Sequence, residues 1–304
     1  LPEDALHLFI GNGDLGQAII SNQAIDLVAF TGSLKTAKNI HKNLSLKPGK
    51  IIPLIAETGG LNTMIVDSSA LLERACDDII RSAFNSSGQR CSALRLLLVH
   101  QEVYSELLSM LKGAMNDLTI GPPDQLHTDI GPIITFDAMK KLKLYLIKME
   151  SDGHSLYQSS NKPVPRKGTW LAPTLIELEL NSMPNEEQFG PILHIMSFSE
   201  DTLIDSLKKI KSKGFALTFG IHTRIDAKAL DVAKQTSSGN IYINRDIVGA
   251  VVETQPFGGK NLSGSGFKAG GPNYLLQFMD ERVITVNTVA IGGNIDLINL
   301  NNDN

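Results

Sequence analysis

The fold is decided by one stretch, Ile51-Ile52-Pro53-Leu54-Ile55-Ala56-Glu57-Thr58-Gly59-Gly60. Its apolar part, Ile51–Ala56, has the length and composition of a buried strand, and the glycines that follow permit a tight turn. An earlier strand is predicted at Asp26–Phe30, and it ends at Thr31-Gly32-Ser33 before a helix that reaches about Asn43. Strand, short glycine-containing turn, helix and strand is the pattern of a parallel βαβ unit, so the sequence predicts an α/β fold.

The alternation of strand and helix patterns continues along the chain. Further strands are predicted at Leu6–Ile10, Thr63–Asp67, Leu94–His100, Leu171–Ile176, Ile192–Phe198, Ala216–His222, Asn240–Asn244 and, as an edge strand, Arg282–Asn287. Helices are predicted from about Asp14 and at Ala70–Phe84, Val103–Leu118, Phe136–Glu150, Asp201–Ser212 and Ile225–Thr236. The remaining segments are predicted as an exposed polar excursion at Ser151–Lys167, an irregular glycine-rich segment at Pro256–Gly271 and a frayed end at Asn299–Asn304. We therefore expect parallel sheets with helices on both faces, and ligands at strand ends.

Composition argues against several classes of protein. The 304 residues carry a net charge of only −4, which gives no reason to expect nucleic acid or an anionic membrane as a partner. No apolar run reaches the roughly 18–20 residues of a membrane span. The two cysteines make no disulfide framework, which favours a cytoplasmic location. The seven histidines are dispersed without ligand spacing, so no metal site is predicted.

Two residues are candidates for covalent and acid–base chemistry. Cys91 lies in a polar loop, where the neighbouring Arg90 would favour the reactive thiolate, whereas Cys76 lies in a predicted helix and is interpreted as structural. Glu57 follows a buried strand, where burial would raise its pKa toward that of a general base. Taken singly, each residue favours a structural interpretation: Cys91 as an inert buried cysteine, and Glu57 as a helix cap or an ion-pair partner.

Several glycine-containing loops could offer backbone N–H groups to an anion. Ser33 opens a helix whose N-terminus would favour phosphate, although Ser33 is equally a plain N-cap. The loop Gly11–Gly16 has the glycine spacing of a dinucleotide fingerprint, but no acidic residue follows at the next strand end, and we interpret it as structural. The loops Pro256–Gly259 and Gly264–Gly271 could bind a carboxylate.

In combination, these segments resemble one family, the aldehyde dehydrogenase superfamily. Its landmarks match, in order and spacing, Val28–Ser33, Glu57–Gly60, Gly88–Cys91, Glu187–Pro191 and Pro256–Gly259. A narrower resemblance links the chain to the glutamate-semialdehyde (1-pyrroline-5-carboxylate) dehydrogenases and to the dehydrogenase part of bifunctional proline utilisation A proteins. That resemblance is carried by Arg90–Arg95, Asn240–Arg245, Gly249–Val252, Lys268–Pro272, Arg282–Thr288 and Gly292–Asn294.

The resemblance implies that the chain oxidises glutamate semialdehyde to glutamate in proline catabolism, with NAD as cofactor and NADP not excluded. Cys91 would be the nucleophile, and Glu57 would activate the water that hydrolyses the thioester. The implied cofactor contacts are Gly32 and Ser33 at the pyrophosphate, Glu187 at the nicotinamide ribose and Phe189 beside the nicotinamide. The implied contacts to the α-carboxylate of the aldehyde substrate are Ser92, Gly266 and Ala269.

The resemblance also implies a division of the chain. Residues 1–58 would be the remainder of the NAD(P)-binding domain, 59–272 the catalytic domain, and 273–304 a tail for oligomerisation. Part of the cofactor-binding domain would be missing at the N-terminus, and FAD would belong only to a missing upstream domain if the protein is bifunctional. Phe267 stands where relatives often have proline, which changes the carboxylate loop. Two alternatives stay open: a truncated non-catalytic fragment, and a cofactor-independent thiol esterase using Cys91 and Glu57.

The alternating segment Arg282–Asn287 generates a prediction about assembly, because such a segment could pair across a subunit boundary of a homo-oligomer. Deleting residues 282–304 should then lower the mass of the assembly in solution, measured by light scattering. An unchanged mass would contradict this role of the tail.

Overall fold

Parallel strand pairing organises the chain into a small sheet and a large one. The computed structural model describes residues 2, 4–159, 164–165, 167–249 and 254–287. In chain order its elements are α1 (Gly13–Ser21), β1 (Val28–Gly32), α2 (Leu34–Leu46), β2 (Leu54–Thr58), β3 (Thr63–Val66), α3 (Leu72–Phe84), β4 (Leu96–His100), α4 (Tyr104–Asp117), α5 (Phe136–Ser151), β5 (Ser155–Gln158), β6 (Thr174–Glu177), β7 (Ile192–Phe198), α6 (Glu200–Ser212), β8 (Phe215–Ala216), β9 (Thr218–His222), α7 (Asp226–Gln235), β10 (Asn240–Ile243) and β11 (Lys260–Asn261).

The small sheet is the βαβ unit that the opening stretch predicts. Strands β1 and β2 are parallel, with Thr31 opposite Glu57 and Gly32 opposite Thr58. Helix α2 begins directly after β1 because the Ser33 hydroxyl accepts the backbone N–H of Thr36 at 3.2 Å, which satisfies one of the free donors of the first turn. The small sheet therefore brings the start of α2 to the same edge as Glu57.

The large sheet has strand order β10-β9-β3-β4-β7-β6-β5 among the described residues. Its neighbours pair in parallel except for β5, which is antiparallel to β6. Alternate residues of each central strand pack on opposite sides: Leu96 and Leu98 of β4 lie in the core beneath α5, α6 and α7, and Leu97 and Val99 in the core beneath α3 and α4. The predicted α/β fold with helices on both faces is thus confirmed, with a mostly parallel mixed sheet.

Two apolar segments that were predicted as strands are not strands in this chain. Leu6–Ile10 has no strand structure, and Leu6, Leu8 and Ile10 are strongly exposed. Residues 281–287 likewise form no strand, and Val283 and Ile284 are exposed. An apolar run becomes a strand only where a neighbouring strand satisfies its backbone groups, and no described strand pairs with either segment.

Several observed strands also differ in position from the strands predicted from sequence. The predicted excursion Ser151–Lys167 contains β5, because the edge of β6 supplies its backbone partners. Strand β2 begins later than predicted and includes Glu57, whereas Ile51 is exposed. The glycine-rich segment Pro256–Gly271 contains the short strand β11, which pairs with β8. Outside the described residues lie Ala250–Val252 of one predicted motif, Thr288 and Gly292–Asn294 of another, and the predicted frayed end Asn299–Asn304.

Candidate active site

The loop before β4 holds Cys91 in a constrained backbone. Ser86 and Ser87 have φ angles of 55° and 57°, a left-handed conformation that costs roughly 1–3 kcal/mol for each residue other than glycine. Gly88 follows with φ 64°, and a Cβ there would lie 2.2 Å from the carbonyl oxygen of Gly190, so only glycine fits. This strained turn therefore brings the Cys91 loop against the segment that carries Glu187.

Asn62 fixes the far end of the same loop. Its amide Nδ2 donates to the carbonyl oxygens of Cys91 at 2.7 Å and Ala93 at 2.8 Å, and its Oδ1 accepts the N–H of Thr218 at 3.1 Å. The side chain is buried, so these hydrogen bonds form in a low-dielectric environment where losing one is costly. Asn62 thereby ties the Cys91 backbone to β3 and β9.

Glu57 lies near the end of β2 in a half-buried position. Its Oε2 accepts the backbone N–H of Gly259 at 2.9 Å. Burial raises the pKa of Glu57, while the Gly259 N–H and the nearby ammonium of Lys268 act in the opposite direction. The expected rise in pKa is confirmed, and it brings the carboxylate closer to the range in which a general base works near neutral pH.

A buried ion pair positions the Glu187 carboxylate. Arg95 is fully buried, and its Nη2 and Nε lie 3.0 Å and 3.3 Å from Oε1 of Glu187. The guanidinium also donates to the carbonyl of Gly190 at 3.1 Å and lies 5.5 Å from the centre of the Phe189 ring. Gly59 allows the carboxylate to approach, because a Cβ there would lie 1.7 Å from Oε2 of Glu187.

The protonation of Cys91 reflects this surrounding charge. Burial raises the pKa of the Cys91 thiol, and the negative charges of Glu187 and Glu57 raise it further, whereas the backbone N–H groups of Ser92 and Cys91 lower it. The expectation that Arg90 favours the thiolate is wrong here. Its exposed guanidinium donates to the Ser86 hydroxyl at 2.9 Å, and burial together with the charges of Glu187 and Glu57 outweighs the groups that favour the thiolate.

The predicted pyrophosphate contacts lie at the edge of the small sheet. Gly32 is opposite Thr58 in the strand pairing, and Ser33 follows as the N-cap of α2. Both residues are exposed, so the helix N-terminus is open to solvent beside the strand that carries Glu57. The N-cap role of Ser33 is observed, and its role at a pyrophosphate stays a prediction.

The predicted carboxylate contacts are spread over two segments. Ser92 is buried directly after Cys91. Gly266 and Ala269 are exposed in the loop that pairs with β2 through Glu57 and Gly264. The N–H of Ala269 donates to the carbonyl of Phe257 at 2.9 Å, so in this structure that donor is already engaged. Carboxylate binding by these residues stays a prediction.

Asn62, Arg95 and Lys268 contribute to the site without having been assigned a role from sequence. Arg95 had a usable signal, since a lone charge inside the apolar run Ala93–His100 must be paired if it is buried. No feature of the sequence indicated a role for Asn62 or Lys268, because their hydrogen-bond partners are distant in the chain. In the part of the chain that the structure describes, no cluster of three metal-ligating side chains occurs, and no helix is long and apolar enough to cross a membrane.

Comparison with known proteins defines the class to which this fold and site belong. The chain belongs to the aldehyde dehydrogenase family, whose model matches residues 1–284. It is 43% identical over 291 residues to the bifunctional protein PutA of Klebsiella aerogenes, which covers 93% of this chain and 22% of that protein.

Two solved structures are similar to the chain. A crystal structure of bifunctional proline utilization A (PutA) has a TM-score of 0.90 at 44% identity, and the match covers 96% of this chain and 30% of that one. The 1-pyrroline-5-carboxylate dehydrogenase from Thermus with bound NAD has a TM-score of 0.79 at 30% identity, over 89% of this chain and 52% of that one. The chain therefore spans between about a fifth and about a half of the length of these proteins.

The ion pair between Arg95 and Glu187 should be strongly coupled, because removing one member leaves the other buried without its counter-charge. Arg95→Met should lower the free energy of unfolding by about 3–5 kcal/mol in urea titrations. The double variant Arg95→Met/Glu187→Gln should lose clearly less than the sum of the two single losses. Additive losses would show that the pair is not coupled.

The thiol of Cys91 should react as a poorly ionised cysteine in the free chain. In a Cys76→Ser background, the rate of alkylation by iodoacetamide should still be rising well above neutral pH. Glu57→Gln should lower the apparent pKa of the thiol, because it removes a neighbouring negative charge. An apparent pKa below that of an ordinary cysteine, about 8.5, would contradict this description of the site.

Proposed function

We propose that the chain carries the catalytic part of a dehydrogenase that oxidises glutamate semialdehyde, formed from 1-pyrroline-5-carboxylate, to glutamate in proline catabolism. The convergence of Cys91 and Glu57 carries this proposal, since the Glu57 carboxylate near the end of β2 lies close enough to the Cys91 thiol for its charge to raise the pKa of that thiol. The similarity to PutA and to a 1-pyrroline-5-carboxylate dehydrogenase supports the choice of substrate.

The two residues would act in succession. The thiolate of Cys91 attacks the aldehyde carbon and forms a thiohemiacetal, whose oxyanion the backbone N–H of Cys91 can stabilise. Loss of a hydride from that carbon of the oxyanion leaves a thioester. Glu57 then removes a proton from water, and the hydroxide attacks the thioester carbon and expels the thiolate of Cys91. The acid is released, and the proton held by Glu57 passes to the thiolate or to solvent.

The bound dinucleotide, NAD with NADP as the alternative, supplies the hydride acceptor. The residues present fit such a group. The exposed N-terminus of α2 at Gly32 and Ser33 suits a pyrophosphate, and the half-exposed Phe189 ring offers a flat apolar surface to a nicotinamide. Glu187 accepts both Arg95 bonds through Oε1, and its carboxylate also accepts the backbone N–H of Gly60, so ribose hydroxyls would use the remaining lone pairs of this carboxylate.

The division of the chain follows from this assignment. Residues 1–58 would contribute to the NAD(P)-binding domain, 59–272 would form the catalytic domain, and 273–304 would form the oligomerisation tail. Ser92, Gly266 and Ala269 would bind the α-carboxylate of the substrate. A flavin, if the whole protein resembles PutA in being bifunctional, would bind in a domain upstream of this chain.

The proposal is tested by NADH formation from glutamate semialdehyde and NAD. The assay uses this chain and the same chain extended upstream by the matching half of a relative's dehydrogenase. Cys91→Ala should abolish NADH formation because no thiohemiacetal forms, while Cys76→Ala, the matched control, should retain it. Glu57→Gln should lower kcat by about 10²–10⁴ yet leave a burst of about one NADH per site, since hydride transfer precedes the step that needs the base.

The outcomes separate the alternatives. Absence of NADH from both proteins, with glutamate semialdehyde and with simple aldehydes alike, would contradict the proposal. Hydrolysis of an activated ester without cofactor, lost in Cys91→Ala, would then identify a thiol esterase. Neither activity in either protein would identify a fragment that keeps the fold without catalysis.

A further inference from the structure

The peptide unit that joins Gly258 to Gly259 lies between the ammonium of Lys268 and the carboxylate of Glu57. The N–H of Gly259 donates to Oε2 of Glu57 at 2.9 Å, and the C=O of Gly258 accepts from Nζ of Lys268 at 2.6 Å. These two groups belong to the same peptide bond. The ammonium therefore binds the negative end of this peptide dipole, and the carboxylate binds the positive end, so each contact polarises the peptide in favour of the other.

The surroundings hold this arrangement in place. Gly258 and Gly259 are buried, and Lys268 is partly buried. Nζ of Lys268 also donates to Oδ1 of Asn240 at 3.2 Å, and that oxygen accepts the N–H of Gly258 at 3.2 Å. The same Asn240 side chain donates through Nδ2 to the carbonyl of Pro256 at 2.9 Å. Lys268 is therefore held by the Gly258 carbonyl and by the Asn240 side chain, which itself binds the backbone of Pro256 and Gly258 in the segment that contacts Glu57.

We propose that Lys268 is a positioning residue for Glu57, acting through the Gly258–Gly259 peptide to aim its N–H at the carboxylate and to favour the form that accepts a proton. The proposal rests on the proposed function in taking Glu57 as the base. It extends that function to a residue outside the reacting groups, since Lys268 contacts the loop and not the Glu57 side chain.

The charges around Glu57 support this role. Burial raises the pKa of Glu57, and the Gly259 N–H and Lys268 are the groups that lower it. The Cys91 thiol, on the loop before β4, senses the charge of Glu57, and Lys260 on β11 lowers the pKa of Lys268. Without Lys268, Glu57 would keep its burial and lose a stabilising cation, so it would bind its proton more tightly and accept one from water less readily at neutral pH.

The test is a direct titration of Glu57. Protein labelled with ¹³C at the glutamate carboxyl is titrated by NMR, with Glu57→Gln identifying the Glu57 signal. Lys268→Met should raise the pKa of Glu57, because it removes an opposite charge from a partly buried site. Lys268→Arg keeps the positive charge, so the pKa of Glu57 in this variant should stay close to that in the unaltered protein.

Two controls separate charge from loop structure. Lys268→Gln can still donate to the Gly258 carbonyl but is neutral, so it should raise the pKa of Glu57 nearly as much as Lys268→Met and serves as a second variant if that one folds poorly. Lys260→Met removes a nearby cation that does not donate to this peptide, and it should change the value little. An unchanged Glu57 pKa in both neutral variants at position 268 would overturn the proposal.

The titration does not depend on catalysis, so a chain without dehydrogenase activity still tests the role of Lys268. In an active protein, Lys268→Met should also move the acid limb of the plot of kcat against pH to higher pH, by the same amount as the pKa of Glu57. The KM for the aldehyde should change less than about two-fold. A purely structural role would instead lower the amplitude of the profile without moving its limb, and that result would overturn the proposal.

Discussion

The fully buried guanidinium of Arg95 is the constraint on which the site depends. A charge in the interior must be matched by partners, and those of Arg95 come from two separate loops. It donates to the carbonyl of Arg90 at 3.2 Å, directly before the nucleophile, and to Gly190 and Glu187 in the segment before β7. The charge of one residue thus brings together the loop of Cys91 and the loop of Glu187, which are about a hundred residues apart.

Much of the fold could be predicted because it depends on local pattern. Apolar runs that end in glycine, alternating with amphipathic helices, identified β1, β2 and the central strands, and parallel pairing followed from the helix between each pair. The errors concern segments whose state depends on a neighbour. The apolar segment Leu6–Ile10 has no partner strand, and the polar segment Ser155–Gln158 gained one in β6. Periodicity alone carries no information on whether a partner exists.

The sequence could suggest which residues form the candidate site, but not which charges act on them. The resemblance singled out Cys91, Glu57 and Glu187 as candidates, the structure brings both carboxylates near the thiol, and the raised pKa of Glu57 followed from its place at the end of a buried strand. The adjacency of Arg90 suggested a reactive thiolate, yet burial of the thiol and the charges of Glu187 and Glu57, which are distant in sequence, raise the pKa of Cys91. Such effects depend on which loops meet in space, and the same holds for the Lys268 network around Gly258 and Gly259.

The proposed chemistry requires two opposite electrostatic conditions around Cys91. A nucleophilic thiolate is favoured by positive surroundings, whereas a base for thioester hydrolysis requires a carboxylate nearby. Glu57 provides the carboxylate near Cys91. Only the N–H groups of Ser92 and Cys91 favour the thiolate, so the free chain keeps Cys91 as a thiol.

The central claim is that an acyl group forms on Cys91 and is released by Glu57. The most direct test is intact-mass and peptide mass spectrometry of Glu57→Gln in the upstream-extended protein, after incubation with glutamate semialdehyde and NAD. The account predicts that the mass of the glutamyl group accumulates on the peptide containing Cys91, and that no such adduct accumulates when Glu57 is present. NADH formation by the variant without an adduct, or an adduct on the Cys76 peptide, would contradict the account.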